Sequence, residues 1–212
     1  YSTWLTRSGV LSNFSVHSFA ASEVATSLLI FMLAYVVGAA VIFFLRVRTM
    51  DGEKLNAPFL NWKTMTVYGI IVIMVYAIII LGGTSMPLLS QLFMARPTNV
   101  TTSFYNNFSM PLGIIILVLM VAATTMIVTK GNDILKKETI ISFAGALILG
   151  IAINWGFTGS VTAYLYSTLA FFVVAQAVID IWKSRSPMVL PSRLAHIGIG
   201  LLILGIITSN FH

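Results

Sequence analysis

Apolar residues run along this chain in blocks of about twenty, separated by short polar stretches rich in Lys, Arg, Asn, Ser, Gly and Pro. A block of that length, wound as an α-helix with a rise of about 1.5 Å per residue, matches a hydrocarbon layer of roughly 30 Å. None of the blocks alternates polar and apolar residues as a barrel strand does. The pattern predicts six spans, at about 23–46, 66–90, 111–129, 139–157, 161–182 and 193–209. Because lipid offers no partner to exposed backbone groups, the expected fold class is all-α, a polytopic transmembrane helical bundle.

The second block, VYGIIVIMVYAIIILGGTSMPLLSQLF, carries Gly82-Gly83 and Pro87 inside an otherwise continuous apolar run. A proline removes one helical hydrogen bond, so the string predicts a break in this span, buried in protein or lining a cavity. The polar stretch that follows, 91–110, is expected to be a loop. Short connections between the later spans predict sequential antiparallel packing. The first span opens on Ser22 and Glu23, an N-cap residue and a carboxylate near the positive end of the helix dipole.

Composition agrees, since 58% of the 212 residues are hydrophobic and only 8% are charged, more apolar surface than a soluble core hides. The net charge of +6 raises nucleic acid as a partner. The positions of the charges argue against it. Ten of the twelve Lys and Arg fall in three alternate loops: Arg46, Arg48, Lys54 and Lys63; then Lys130, Lys136 and Lys137; then Lys183, Arg185 and Arg193. That bias is the positive-inside signal and places those loops in the cytoplasm, leaving both termini extracytoplasmic together with Arg7 and Arg96. The expected organisation is an extracytoplasmic segment 1–22, a six-span domain 23–209 with an external loop 91–110, and the start of a further extracytoplasmic segment at 210–212. The chain does not begin with Met, and YSTWLT reads as the end of an earlier helix rather than a signal peptide, so a piece of a longer polypeptide is expected. Asp180 and Lys183, three residues apart, read as a solvated ion pair at a helix end. With no cysteine the chain has no disulfide frame and no thiol chemistry of its own.

Two histidines carry the candidate chemistry. His196, in PSRLAHIGIGLLILGIITSN, comes one turn after Arg193, about 4.5 Å further along the helix axis and inside the membrane edge. An ionisable side chain there needs a partner or a function. Either His196 donates a hydrogen bond to a neighbouring carbonyl while Gly198, Gly200 and Gly205 make a close helix contact, or neutral imidazole is an axial ligand to haem iron with the glycines against the porphyrin. His17, in SNFSVHSF, is either an interfacial histidine with its polar tip in water or an iron ligand in an external pocket lined by Phe14 and Phe19. In the second case Arg7 and Arg96 are available to pair with haem carboxylates. His212 is assigned no role. No HExxH, CxxC, phosphate-binding glycine loop or nucleophile elbow occurs, and six acidic residues spread over the chain form no carboxylate dyad, so any chemistry belongs to a bound cofactor.

The strings TRSGVLSNFSVHSFA, GGTSMPLL followed by SFYNN, and AHIGIGLLILG occur in an order and spacing that resemble the CcmF/NrfE haem lyase family of cytochrome c maturation. The resemblance covers essentially the whole chain and corresponds to the middle and later part of the family's membrane domain, after its Trp-rich signature. It implies that His17 matches an extracytoplasmic histidine holding transiently delivered substrate haem, and that His196 matches one of two ligands of a haem b kept within the membrane. The second axial ligand of that haem b would lie outside this chain. The spacing from Arg7 to His17 is longer than in the usual form of the motif.

The resemblance further implies a holocytochrome c synthase-type lyase that keeps delivered haem reduced and attaches it to the CxxCH thiols of apocytochrome c. The implied partners are a haem chaperone, apocytochrome c and other cytochrome c maturation subunits, with membrane lipid around the spans. The implied location is the bacterial inner (cytoplasmic) membrane, or an organellar inner membrane, with the active face extracytoplasmic. Two other classes stay open on the residues alone: a polytopic transporter using the broken second span, and a non-catalytic haem- or quinone-binding subunit of a respiratory complex.

Overall fold

Helix formation follows the apolar blocks closely. The computed structural model describes residues 1–9, 11–12, 24–49, 59, 61–94, 98–129, 136–155, 160–184, 188 and 190–211. A short helix α1 (Ser2–Arg7) precedes six long ones: α2 (Val24–Arg46), α3 (Trp62–Phe93), α4 (Thr102–Thr129), α5 (Lys137–Asn154), α6 (Val161–Ser184) and α7 (Leu190–Phe211). A 3₁₀ turn, Val47–Thr49, closes α2. Among the described residues there is no strand, and α2 to α7 are each long and apolar enough to cross a membrane. The predicted Ser22–Glu23 cap lies outside the described residues.

The second span departs from expectation. α3 runs unbroken from Trp62 to Phe93 with Pro87 inside it, so the predicted break is absent. Pro87 is fully buried. Around it, Gly83 gives its missing side chain's place to two rings, Phe104 Cε1 and Tyr105 Cε1 standing 2.9 and 3.0 Å from where a β-carbon would be. Three residues beyond, Ser90 Oγ donates to the Pro87 carbonyl at 3.1 Å and accepts the backbone N–H of Thr98 at 2.9 Å. A proline persists in a membrane helix where such neighbours bury and re-satisfy its surroundings. The stretch 91–110 is likewise shorter as a loop than predicted, since α3 reaches Phe93 and α4 begins at Thr102 with Pro111 inside it.

The chain divides into two compact units. The first comprises residues 1–55 and 79–105, the second 56–78 and 106–212. In the first unit, Leu5 is buried and the Tyr1 hydroxyl meets Ser85 Oγ at 2.7 Å. α2 buries no side chain, so its apolar surface faces outward all round.

The second unit holds the tightest packing, with α6 against both α5 and α7. The α5 face that is buried, Thr139, Ser142, Ala146, Gly150 and Asn154, recurs every three or four residues as one helical stripe. Small residues let the backbones approach, as in membrane helix pairs generally. Gly150 lies against the backbone of Thr168, whose Cα is 3.1 Å from where a β-carbon would stand. Two buried hydrogen bonds cross this contact: Asn154 Nδ2 donates to Ser167 Oγ at 3.0 Å and Gln176 Nε2 to Ser142 Oγ at 2.8 Å. The solvated Asp180–Lys183 pair does not form. Asp180 is 9% exposed and accepts from Arg193 Nε of α7, while Lys183 Nζ reaches Glu138 of α5 at 3.0 Å. The physical reason is reach across the helix interface, which offers each side chain an opposite charge on a neighbouring helix.

Candidate haem-ligand site

The imidazole of His196 is held by its own helix. α7 begins at Leu190, and its first carbonyls have helical donors only four residues on. His196 supplies a second donor to one of them: Nδ1–H donates to the Ser192 carbonyl at 2.6 Å. A carbonyl can only accept, so Nδ1 carries the proton, and in the neutral ring Nε2 holds the lone pair. That is the tautomer a metal ligand needs, oriented by the kind of backbone contact that fixes ligating histidines.

His196 is half-buried and lines a cleft of about 170 Å³. The other walls come from Met65, Gly69 and Ile73 of α3 and Ile116, Met120 and Ala123 of α4, among others. They are almost wholly apolar, so the imidazole is the strongest donor available there. Nothing lies within 4 Å of where a Gly69 side chain would begin, so this glycine leaves space open. The volume is smaller than the roughly 300–1,000 Å³ of a complete small-ligand site.

The two glycines after His196 divide. Gly198 has open space where a side chain would be, whereas Gly200 is packed against α6, with Ala170 O at 3.1 Å and Val174 Cγ2 at 2.6 Å from a β-carbon position. Gly200 therefore makes a helix contact. Arg7 lies in the last turn of α1 and is exposed. His17, with Phe14 and Phe19, and Arg96 lie outside the described residues. Among the described residues, no three His, Cys, Asp or Glu side chains converge. Among the described residues His196 is thus one imidazole in an otherwise apolar wall, a donor chemistry that would suit haem iron.

Sequence reasoning missed the cleft walls and the Asp180–Arg193 pair. Gly69 and Ile73 sit on one face of α3 at i, i+4 spacing, but nothing in the string says that this face meets His196 rather than lipid.

The curated relatives carry one theme in their names. The chain is 29% identical over 226 residues to cytochrome c-type biogenesis protein CycK of Bradyrhizobium diazoefficiens, an alignment covering 97% of this chain and 34% of the relative. Over 230 residues it is 28% identical to cytochrome c-type biogenesis protein CcmF of Pseudomonas fluorescens, covering 98% of the chain and 33% of that protein. Cytochrome c-type biogenesis protein ccl1 of Rhodobacter capsulatus is 28% identical over 218 residues, 96% of the chain and 33% of the relative. The chain therefore spans about a third of the length of the curated relatives it matches. No family model matches, and no solved structure does. The similarity to CcmF-type proteins read from the motifs is borne out along nearly the whole chain.

Proposed function

We propose that this chain is part of a cytochrome c maturation system in the membrane, and that His196 would hold a haem b through its ring nitrogen at the cleft lined by α3 and α4. The observation that carries the reading is the His196 Nδ1–H bond to the Ser192 carbonyl, which leaves Nε2 as the ring's lone-pair nitrogen on a side chain lining an apolar cleft. The relatives, all named for cytochrome c biogenesis, support the same direction.

A haem b bound there would supply one-electron reducing capacity to substrate haem at the outer face. The chain's own residues do the rest. His196 fixes orientation through its Nδ1–H contact; the apolar walls exclude water; Gly69 keeps a side chain out of the space beside the ring. His17 would ligate the substrate haem while its vinyl groups form thioethers with apocytochrome CxxCH thiols. Arg7 and Arg96 would pair with its carboxylates. A haem chaperone, apocytochrome c and other maturation subunits would be the partners, and the working face extracytoplasmic in the bacterial inner membrane or its organellar counterpart.

The transporter alternative rested on a broken second span, and continuous α3 removes that support. A respiratory-complex subunit could use the same cleft but would leave cytochrome c maturation untouched.

The test is a reduced-minus-oxidised absorption spectrum of the full-length protein, alongside cytochrome c maturation in cells, for His196→Ala and His17→Ala. The expected result is loss of a b-type band in the first variant, and in the second a retained band with maturation blocked. Normal maturation in both variants would end the proposal.

A further inference from the structure

Asp180 and Arg193 join the end of α6 to the start of α7, 9% and 7% exposed, with Arg193 Nε–H donating to Asp180 Oδ2. Burying two charges is expensive, and a well-packed apolar pair of the same volume is often as stable. Stability alone therefore gives little reason for an ion pair at this place. Buried polar pairs are better attested as devices that fix register.

Register is what α7 lacks from its other side chains. Apart from Arg193 and His196, residues 193–207 of this helix are aliphatic or glycine, so hydrophobic packing distinguishes poorly between one rotation and another. Its buried positions, Arg193, Gly200, Leu204 and Ile207, form a seam along the helix. Two of them meet α6: Arg193 through Asp180, and Gly200 through Ala170 O and Val174. At about 100° per residue, His196 lies some 50° round from the middle of that seam, on the side of the cleft it shares with α3 and α4. A slip of one residue would turn its ring by about 100°, away from the cleft.

We propose that Asp180 and Arg193 are positioning residues for His196: their ion pair, one turn before the histidine, locks the rotation of α7 so that the imidazole faces the cleft. Ser192 belongs to the same device, since its carbonyl accepts the Nδ1–H bond and its hydroxyl accepts from Arg193 Nη1 at 3.4 Å. Gly200 sets the second contact point, one turn on the other side. The pair fixes phase and the glycine fixes distance. The inference rests on His196 being an axial ligand.

The test uses the full-length protein as purified, in four forms: Asp180→Asn, Arg193→Gln, the exchanged pair Asp180→Arg with Arg193→Asp, and His196→Ala. Three quantities are read in each: thermal unfolding, haem retained with its low-spin electron paramagnetic resonance spectrum, and the histidine tautomer by ¹⁵N nuclear magnetic resonance. Each single charge removal should lower haem retention by about 10-fold or more and alter the low-spin signal, as loss of groups orienting a ligand does. The exchanged pair should recover most of both. Should a single variant fail to fold, the exchanged pair decides, because it keeps both charges. If the folded variants bind haem with an unchanged signal and tautomer while His196→Ala loses it, positioning by the ion pair is wrong and the ligand assignment stands. If His196→Ala keeps the haem signal, the ligand assignment itself is wrong and the inference goes with it.

Discussion

Gly200 of α7 lies against the backbone of Ala170 on α6, whose carbonyl oxygen is 3.1 Å from where a β-carbon would stand. Two residues earlier, Gly198 has no atom of another helix within 4 Å of the same position among the described residues. One short string, HIGIG, therefore contains a glycine that closes a helix pair and another that leaves a face open.

The two should respond oppositely to alanine. Gly200→Ala forces Val174 or the helix itself to move and should cost about 1–3 kcal/mol, the range for overpacking. Gly198→Ala should be neutral or slightly stabilising, since alanine favours helix over glycine by roughly 1 kcal/mol. Chemical unfolding in detergent micelles measures both, and equal effects would contradict the packing described.

Gly69 offers a way to fill the proposed site without touching the ligand. Because open space lies where its side chain would begin, Gly69→Leu should fold at least as well as the parent, with an unfolding midpoint unchanged or raised. The cleft volume beside His196 would then be occupied. Haem content of the purified protein should fall, and a variant that retains the parent's full haem content would count against this cleft as the haem wall.

Gln176 and Ser142 make a buried pair whose two halves should not be additive. Gln176 is fully buried, its Nε2 donates to Ser142 Oγ at 2.8 Å, and its Oε1 has no hydrogen-bonding partner among the described residues. Removing the serine hydroxyl strands a buried donor, so Ser142→Ala should cost about 1–3 kcal/mol. Removing both polar groups, as Ser142→Ala with Gln176→Met, should be cheaper than the sum of the single changes. A double-mutant cycle with zero coupling energy would rule the contact out.

The two ion pairs of α6 should behave differently. Lys183 and Glu138 are 41% and 46% exposed at their side chains, and neutralising the glutamate should leave the unfolding midpoint unchanged. Asp180→Ala leaves Arg193 buried without its charge partner and should cost about 3–5 kcal/mol. Raising salt should matter little to the buried pair, because screening acts on exposed charges.

Tyr166 ties α6 to the start of α4. Its hydroxyl donates to the Met110 carbonyl at 2.7 Å, next to Pro111 and beside Gly113. Tyr166→Phe should cost about 0.5–1.5 kcal/mol, the net worth of one hydrogen bond. Gly113→Ala should cost more, since it fills the place the hydroxyl occupies; the reverse order would show that the hydroxyl does not dock there.

The six spans were legible because a membrane helix needs only length and apolar content, both local properties of the string. Each predicted span meets one of the long helices α2 to α7, with the largest shifts at 66–90 and 111–129, where α3 and α4 begin earlier. His196 stood out in the string as a candidate, since an ionisable group in an apolar run is conspicuous without knowing its neighbours. The continuity of α3 was not, because whether Pro87 breaks a helix depends on what buries it, and Gly83, Phe104, Tyr105, Ser90 and Thr98 are assembled only by folding. The charge partners were hidden for a related reason. Asp180 has Lys183 nearby in sequence and Arg193 across a helix interface, and only the crossing of α6 and α7 decides between them. By itself the string determined how many helices cross and which residue is chemically out of place. Tertiary packing decided which face each helix buries, because a helix apolar on every side carries no local preference for one rotation over another.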